Sequence, residues 1–343
     1  MATLKELSER TGYSTATISR VLNADATLSV PEEVRRKILE EAGKTNYHET
    51  RSRKGRTPKS LLRVGLAETL TPAQQLNDPY YLYLSNYIKQ GCIDKRYTCI
   101  HMESRGESYI LPRSEKLDGI IAIGLFTNTQ IESLSNFSKN IVFVDSSPFE
   151  TRFDSVVLGY ELGLSLALDH LMELGHTRIG YVGQLYKYSD RRQDDLEIRR
   201  KLFNRLMMER NLYDPDLIID CSMDIESTIE AWKEHLNLGK PLPSAVFCAN
   251  EENALGTLKR LQQEGYSIPD DISVVSFNDT PRSALVSPSL TSVSVNTMEM
   301  ANTALRMLAE RAGIAGKEPI RTLPLKVIVP PAIVIRESTA QAQ

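Results

Sequence analysis

Cysteine, tryptophan and long apolar runs are scarce in this sequence. Of 343 residues, four are cysteine and one is tryptophan. The cysteines form no C-x-x-C pair and no metal-binding spacing, so Cys92, Cys99, Cys221 and Cys248 predict thiols in a reducing compartment rather than disulfides. No stretch approaches the ~20 apolar residues of a membrane-spanning helix, and no export signal is recognisable. We therefore expect a cytoplasmic protein without a metal, another cofactor or a membrane partner.

The patterns of the common catalytic sites are also missing from the sequence. It contains no P-loop and no Ser/His/Asp arrangement, and its five histidines are scattered. His176, in the segment ELGHTRIGYVG, fits a structural turn better than a general base. A glycoside hydrolase needs paired carboxylates, and the pair that the sequence offers, Asp145 with Asp279, has no spacing to support it. We therefore do not expect an enzyme.

Charge is unevenly distributed along the chain. The net charge is -3, but residues 1–60 contain twelve Lys or Arg and eight Asp or Glu, a balance of +4 that leaves -7 for the remainder. A basic segment on an acidic body is typical of a protein of which one end contacts nucleic acid. The length of the chain allows two or three domains, each with its own core.

Residues 3–23, TLKELSERTGYSTATISRVLN, have the pattern of two short amphipathic helices joined by a tight turn. Thr3 and Glu6 form a capping box for the first helix, and Gly12 suits the left-handed conformation that ends it. The same pattern occurs in ordinary helical hairpins. In a helix-turn-helix, the second helix lies in the major groove of DNA. The candidate base contacts are then Thr15, Ala16 and Arg20, and the candidate phosphate contacts are Ser14, Thr17, Ser19 and Asn23.

A third helix and a basic segment follow this pair. The helix is predicted to begin near Pro31. Its inner stripe consists of Val34, Ile38, Leu39 and Ala42. Residues 51–59, RSRKGRTPK, contain five basic residues and no acidic one. Such a run is either a solvated linker or a linker that also contacts DNA phosphates, and in the second case Arg53 and Arg56 are the candidate contacts.

From residue 61 onward, strand-like and helix-like segments alternate. The apolar runs that predict strands are RVGLAE, TCIHMES, GIIAIG, IVFVDS, RIGYVG, LIIDCS, AVFCAN and ISVVSFND. Alternation of strand and helix predicts parallel sheets with right-handed crossovers. Four units before residue 160 and four after it predict two similar, doubly wound α/β lobes. The final run, from TSVSVN to AIVIRE, is predicted to cross between the lobes.

The segments GYSTATISRVLN and VPEEVRRKILEEAGKTNY resemble the N-terminal headpiece of the LacI/GalR family of bacterial transcriptional repressors. The resemblance continues more loosely to about residue 336. It implies a homodimer that binds a pseudo-palindromic DNA operator and a small sugar effector, held between two lobes similar to those of type I periplasmic binding proteins.

The resemblance also implies a division of the chain. We expect a DNA-binding headpiece at residues 1–50, a hinge or linker at 51–61, and an effector-binding and dimerisation domain at 62–338. Within that domain, the N-terminal lobe is expected to comprise 62–160 plus 290–322, and the C-terminal lobe 161–289 plus 323–338.

The linker departs from the family pattern. Family members usually have a short hinge helix with a central Leu that wedges into the minor groove, and this chain has Gly55 or Arg56 at that place. The apolar wedge is therefore not expected, whereas Arg56 is suited to a narrowed minor groove. No leucine heptad follows Arg336, so a tetramer held by a C-terminal coiled coil is not expected either.

Two charged residues are implied to contact the effector. Asp145 ends the strand IVFVDS, where family members place an acid. Arg199 matches the Arg of the family pattern R-x-x-G-F, with Leu202 in place of Gly and with Phe203 at the expected spacing. The neighbouring Arg200 is expected to lie at the surface.

Five further residues complete the implied effector site. Asn250 matches an Asn or Asp at the mouth of the cleft, and Asn278 occupies a position that is often Asp. Of Tyr80 and Tyr81, one is expected to stack on a sugar face and the other to join the core. Met223 is expected to line the opposite wall.

The segments NDPYY and VFVDSSPFE, together with the unusual linker, are most similar to repressors of β-galactosidase or galactoside-utilisation operons. Two alternatives remain open. One is a cytoplasmic sugar-binding receptor of the same fold that binds no operator. The other is a regulator that responds to an effector other than a galactoside.

Overall fold

The chain divides into two compact units, Met1–Lys59 and Ser60–Gln343. The computed structural model describes residues 4–22, 28, 30–45, 61–113, 116–185, 196–314 and 317–343. The predicted contacts Asn23, Arg53 and Arg56, and the capping residue Thr3, lie outside these ranges. Among the described residues, no helix is both long enough and apolar enough to cross a membrane.

The first unit contains three helices, α1 (Leu4–Thr11), α2 (Thr15–Leu22) and α3 (Glu32–Lys44). Leu7, Ile18 and Ile38, one from each helix, are fully buried against one another. Leu39 was predicted to belong to the same stripe, but it is 49% exposed. The reason is geometric, because adjacent helical residues point about 100° apart and the positions that share the face of Ile38 are four residues away.

The second unit contains two lobes. The elements up to residue 158 are β1 (Arg63–Glu68), α4 (Pro72–Asn77), α5 (Pro79–Asp94), β2 (Thr98–His101), β3 (Glu103–Arg105), β4 (Ser108–Ile110), β5 (Gly119–Ile123), α6 (Asn128–Ser135), β6 (Ile141–Val144) and β7 (Asp154–Leu158). The later elements are α7 (Tyr160–Glu173), β8 (Ile179–Gly183), α8 (Ile198–Glu209), β9 (Ile218–Asp220), α9 (Ile225–Asn237), β10 (Ala245–Cys248), α10 (Glu251–Gln263), β11 (Ser273–Asn278), β12 (Thr291–Ser294), α11 (Thr297–Ala312), β13 (Lys326–Val329) and β14 (Ala332–Val334).

Each lobe is built on a six-stranded sheet. The strand order is β13-β7-β6-β5-β1-β2 in the first lobe and β14-β12-β11-β10-β8-β9 in the second. Neighbouring strands are parallel, except that β14 runs antiparallel to β12. Central strands such as β5 and β6 are buried along their whole length. Because helices cover both faces of such sheets, these strands are continuous apolar runs rather than alternating ones.

The last part of the chain crosses between the lobes, but at other places than expected. Strand β12 joins the second-lobe sheet, α11 packs on α5 of the first lobe, β13 pairs with β7 of the first lobe, and β14 returns to the second. The expected lobe assignments of 290–296 and of 323–329 were therefore wrong. Apolar periodicity identifies a strand but does not specify the sheet that it joins.

A buried ion pair fixes β13 in its place. Asp154, at the start of β7, is fully buried and accepts two hydrogen bonds from the Arg321 guanidinium, at 2.8 and 2.7 Å. It also accepts one from the backbone amide of Leu325, at 2.7 Å. These bonds tie the segment before β13 to the first-lobe sheet. They are needed because a buried carboxylate without hydrogen-bond donors would be strongly destabilising.

Candidate functional site

Polar residues lie at the carboxyl ends of strands in both lobes. Asp145 comes directly after β6, Asn250 comes after β10, and Asn278 ends β11. Asp145 and Asn278 have left-handed backbone conformations, with φ of 68° and 101°. Such conformations are uncommon for residues other than glycine and often occur at binding sites. In parallel sheets, the carboxyl ends of the strands form the ligand-binding edge.

Asp145 lies between two tyrosine hydroxyls that come from different lobes. Tyr81 of α5 donates to its Oδ2 and Tyr160, the first residue of α7, donates to its Oδ1, each at 2.8 Å. Burial raises the pKa of Asp145, and the two hydroxyls and the Arg199 charge counteract that rise. The carboxylate is therefore an acceptor whose donors can be exchanged for the hydroxyls of a ligand.

Arg199 is held rigidly on the second-lobe side. The Glu197 carboxylate accepts from its Nε at 2.9 Å and pairs with one terminal nitrogen at 2.8 Å, while the other terminal nitrogen donates to the carbonyl of Ala249 at 2.8 Å. Burial alone would lower the pKa of Arg199, but the Glu197 charge keeps it well above its ordinary value. A guanidinium has five N–H groups, and the described residues engage three of them, which leaves one on each terminal nitrogen without a partner among those residues.

Aromatic rings support this guanidinium. Its central carbon lies 5.7 Å from the ring centroid of Tyr160 and 5.6 Å from that of Phe277. The two rings are stacked, with centroids 5.8 Å apart and planes at 12°. A cation at such distances from aromatic faces is stabilised electrostatically, so the rings fix the plane in which Arg199 presents its donors.

Arg200 is not at the surface, contrary to expectation. It is 6% exposed, donates to Asp220 at 2.6 Å and lies 5.2 Å from the Tyr181 ring centroid. Glu197 caps α8 by accepting from the backbone amides of Arg199 and Arg200, which directs the two side chains to different sides of the helix start. When neither of two adjacent arginines lies at the surface, sequence spacing alone does not show which environment each side chain enters.

The predicted residues Asn250 and Met223 are linked to each other. Asn250 is 1% exposed and uses its side chain to cap α10, accepting from the backbone amide of Asn253 at 2.8 Å. Its amide nitrogen donates to the carbonyl of Met223 at 3.2 Å. Met223 in turn packs against the apolar cluster shared by the two lobes. The arrangement therefore gives Asn250 the role of positioning Met223.

The two predicted tyrosines have different surroundings. Tyr80 is buried, packs edge-on against Tyr81 at 4.9 Å between centroids, and directs its hydroxyl to the sulfur of Met300 at 3.8 Å. Tyr81 carries the polar contact to Asp145. Consecutive residues of a helix point about 100° apart, so the two rings pack differently, although the Tyr80 hydroxyl also helps to lower the pKa of Asp145.

Sequence reasoning missed Asp78, Tyr160, Phe277 and Glu197. Asp78 stands at the N-cap position of α5, directly before Pro79. Burial raises its pKa to about 6, the nearby Asp145 and Glu251 carboxylates add to the rise, and Arg199 opposes it. An Asp before Pro at a helix start is a recognisable cap signal in a sequence. That Asp78 lies near Arg199, however, depends on how the two lobes meet.

We expect Asp78→Asn to stabilise the protein near neutral pH. The pKa of Asp78 is about 6 in the folded protein and 3.8 ordinarily. Between pH 3.8 and about pH 6, the folded protein therefore keeps a proton on Asp78 that the unfolded chain has lost. The contribution of Asp78 to stability therefore falls as pH rises through this window. The melting temperature of the variant should exceed that of the native protein above about pH 7, and the difference should vanish below about pH 4.

The matched control is Asp94→Asn at the exposed end of the same helix. It should leave the dependence of the melting temperature on pH unchanged. A gain for Asp78→Asn that is equal at all pH values would contradict the assignment.

A second carboxylate cluster fixes the loop after β11. Glu251 accepts hydrogen bonds from the hydroxyls of Thr280 and Ser283, each at 2.5 Å, and Arg282 donates to Glu252 at 2.6 Å. Burial raises the pKa of Glu252 to about 7, although Arg282 opposes the rise. The loop that follows Asn278 is therefore anchored to the start of α10.

The first unit presents the predicted recognition face. Ser14 caps α2 by accepting from the amide of Thr17 at 3.2 Å, and Gly12 has a φ of 79° in the turn before it. Thr15, Ala16 and Arg20 are exposed on α2, opposite its buried residues Ile18 and Val21. Thr17 and Ser19 are partly exposed.

A helix-turn-helix unit and a two-lobed α/β unit with a polar interlobe site define a ligand-responsive, DNA-binding regulator. The periplasmic binding protein-like domain family matches residues 168–339. The HTH-type transcriptional regulator GalR of Streptococcus thermophilus is 33% identical over 325 residues, covering 94% of this chain and 96% of that protein. The HTH-type transcriptional repressor MelR of Bacillus subtilis is 30% identical over 347 residues, covering 98% and 97%.

Solved structures share the fold. The Lac repressor dimer bound to operator and the anti-inducer ONPF aligns with a TM-score of 0.64 at 22% identity, over 99% of each chain. The transcriptional regulator CelR in complex with cellobiose aligns with a TM-score of 0.67 at 20% identity, over 98% of this chain and 100% of that one. Together with the relatives, these matches show that the chain belongs to the LacI/GalR family of helix-turn-helix transcriptional regulators.

Proposed function

We propose that this protein is a homodimeric repressor of a sugar-utilisation operon, acting in the cytoplasm, and that a small sugar bound between the lobes releases it from its operator. A galactoside is the proposed effector class. The observation that carries the proposal is the placement of Asp145, Arg199 and the stacked rings of Tyr160 and Phe277 in one interlobe site. Carboxylate acceptors, planar donors and aromatic faces are what a polyol with apolar ring faces requires.

The interlobe hydrogen bond of Asp145 suggests how a sugar acts. Tyr160 belongs to the second lobe and Asp145 to the first, so a sugar hydroxyl that replaces the tyrosine donor changes a contact between lobes. Release from DNA requires that the sugar bind one lobe arrangement more tightly than the other. A coupling free energy of about 1 to 3 kcal/mol is typical of such systems.

DNA recognition is assigned to the exposed face of α2. Thr15, Ala16 and Arg20 are proposed to contact bases, and Ser14, Thr17, Ser19 and Asn23 to contact phosphates, with Arg53 and Arg56 of the linker as further contacts. The exposed guanidinium of Arg20 is suited to a bidentate contact with guanine.

We expect Arg20→Ala to weaken binding to the operator by about 1 to 3 kcal/mol and to weaken binding to random DNA much less. The matched control is Lys44→Ala, which removes an exposed positive charge from α3 instead. Titrations of labelled operator and of labelled random DNA at fixed salt measure the affinities of both variants. Equal losses on operator and random DNA would show that Arg20 does not contact bases.

Selection of fragmented genomic DNA by the purified protein tests the proposal as a whole. The expected result is enrichment of an inverted repeat upstream of sugar-utilisation genes, and its loss when a galactoside is added. Absence of any enriched site would favour a sugar-binding receptor of the same fold. Enrichment that no galactoside reverses would favour an effector of another class.

A further inference from the structure

Two of the four cysteines lie beside each other in the first lobe. Cys92 is buried near the end of α5, and Cys99 is partly buried on β2. Cys99 is in register with Val64 of β1, so the two side chains point to the same face of the sheet. Val64 and Cys92 belong to one apolar cluster, and Cys99 packs against it. The fold therefore places both thiols between the helix and the sheet.

A hydrogen bond between the two thiols makes them chemically different. It raises the pKa of Cys92, and burial raises it further. The same bond lowers the pKa of Cys99, with help from the Lys89 charge, whereas burial and the Glu68 carboxylate oppose the change. Lys89 lies three residues before Cys92 on α5, a spacing at which helical side chains are neighbours. Cys99 is thus the thiol that more readily forms a thiolate, and Cys92 is the thiol that keeps its proton.

The other two cysteines have different surroundings. The sulfurs of Cys221 and Cys248 contact the hydroxyls of Thr228 and Thr257, at 3.5 and 3.6 Å. Burial raises the pKa of Cys221 to about 12 and also raises that of Cys248. Such thiols are inert, because the thiolate is the nucleophile. Cys221 therefore provides a control within the same protein.

Cys99 is also accessible from the edge of a sheet. Among the described residues, β2 is an edge strand of the first-lobe sheet, and Cys99 is partly exposed there. Redox-sensing cysteines typically combine a lowered pKa, access to solvent and a second thiol beside them. Disulfides of cytosolic proteins are usually transient and serve catalysis or redox sensing. Cys99 and Cys92 meet these requirements together.

The segment between the two cysteines holds the start of the second unit. The backbone amide of Leu61 donates to the carbonyl of Arg96 at 3.1 Å. Arg96 has a left-handed conformation, with φ of 58°, which is uncommon for residues other than glycine. Leu61 is the second residue after Lys59, where the first unit ends. A change in the spacing of Cys92 and Cys99 therefore acts on the segment that leads to the DNA-binding unit.

We propose that Cys92 and Cys99 form a redox switch, in which a hydroperoxide converts the two thiols to a disulfide and thereby weakens operator binding. The Cys99 thiolate attacks one peroxide oxygen, the O–O bond breaks, and the sulfur becomes a sulfenic acid. The oxygen that leaves takes up a proton. The Cys92 sulfur then attacks the Cys99 sulfur, the S–O bond breaks, and the Cys92 proton leaves with the hydroxide as water. Two thiols lose two electrons in total, and the peroxide gains them.

The disulfide changes the position of the turn between the cysteines. It brings the two sulfurs to about 2.05 Å, which is much closer than hydrogen-bonded thiols. The turn that holds Leu61 must adjust when α5 and β2 are joined in this way. Oxidation is then a second input to the protein besides the sugar. The effect on operator binding rests on the proposed function, whereas the formation of the disulfide does not.

Peptide mapping of the full-length protein tests the disulfide. The reduced protein is treated with a small excess of hydrogen peroxide, alkylated and digested with trypsin. Cleavage after Lys89, Lys95, Arg96 and Arg105 gives the peptides 90–95 and 97–105, each with one of the two cysteines. They should be recovered as one linked species, about 2 Da lighter than their sum, and dithiothreitol should separate them. Recovery of unlinked peptides after peroxide treatment would overturn the proposal.

Single variants test the order of the two steps. In Cys92→Ala, peroxide should leave Cys99 as a sulfenic acid that dimedone captures. In Cys99→Ser, Cys92 should stay reduced. The matched control Cys221→Ser should form the linked species as the native protein does. Capture of a sulfenic acid on Cys92 in Cys99→Ser, rather than on Cys99 in Cys92→Ala, would contradict the assignment of Cys99 as the attacking thiol.

Fluorescence anisotropy on labelled operator, without sugar, tests the coupling to DNA. Oxidation should weaken operator binding by the native protein by about fivefold or more, and dithiothreitol should restore it. Cys99→Ser should not respond to peroxide. Equal affinities of oxidised and reduced native protein, or an equal response of Cys99→Ser, would overturn the switch. Reduced protein that binds no operator would instead contradict the proposed function, and the peptide map would still decide whether the disulfide forms.

Discussion

Arg199→Ala is expected to abolish the response to sugar while operator binding persists. The described residues use three of the five guanidinium N–H groups, and the remaining two are the donors that a sugar would meet. Loss of two charge-assisted hydrogen bonds, at about 1.5 kcal/mol or more each, should weaken effector affinity by roughly a hundredfold. The measurement is a sugar titration of the operator complex followed by fluorescence anisotropy.

The fold should survive this substitution. Glu197 would lose its guanidinium partner, but it would keep two backbone amides, at 2.8 and 3.2 Å, and the Tyr181 hydroxyl at 3.3 Å. The matched control is Arg200→Ala, which removes the neighbouring guanidinium, whose side chain is 7% exposed against 16% for Arg199, from the same helix start. It should lower the melting temperature and leave sugar release intact. Sugar release that persists in Arg199→Ala would contradict the assignment of the cleft.

Ile18→Ala should produce the opposite phenotype, in which DNA binding is lost and sugar binding is retained. Ile18 is fully buried among Leu7, Val21 and Ile38, in the small core of the first unit. Truncation of a buried Ile to Ala typically costs about 2 to 5 kcal/mol, which is a large part of the stability of so small a unit. Hydrogen exchange of the α1 and α2 amides should accelerate, and specific DNA binding should fall by more than tenfold.

The matched control for Ile18→Ala is Leu39→Ala, which truncates an exposed apolar residue of the same unit. It should leave amide protection and DNA binding near native values. Calorimetric titration with sugar should be unchanged in both variants, because the chain forms two separate compact units. Loss of sugar binding in Ile18→Ala would contradict that independence.

Local patterns predicted the headpiece and the alternating lobes. The capping pattern of the first helix, the Gly12 turn and the four-residue spacing of Val34, Ile38 and Ala42 are each encoded within a few neighbouring residues. The strands were similarly visible as apolar runs, although TCIHMES proved to be two strands, one in the main sheet and one in a separate hairpin with β4. Local information therefore identified the elements and the fold class.

Partners that are distant in sequence were less predictable. The joining of β13 to β7 depends on the buried pair of Asp154 with Arg321, which are 167 residues apart. The hydrogen bond between Tyr160 and Asp145 depends on two lobes meeting, and nothing in the segment around Tyr160 signals it. The family resemblance pointed to Asp145 and Arg199 as candidate site residues. The residues that orient them, such as Tyr160 and Glu197, were identified from their hydrogen-bond distances in the structure.

In the proposed function, a sugar in the interlobe site controls DNA binding by the headpiece. Fluorescence anisotropy of the purified protein on labelled DNA from its own upstream region, at fixed salt, tests it with and without lactose, galactose and allolactose. We expect tight, specific binding that at least one of these sugars abolishes in the native protein but not in Arg199→Ala. Specific binding that is equally sensitive to sugar in both proteins, or no specific binding at all, would contradict it.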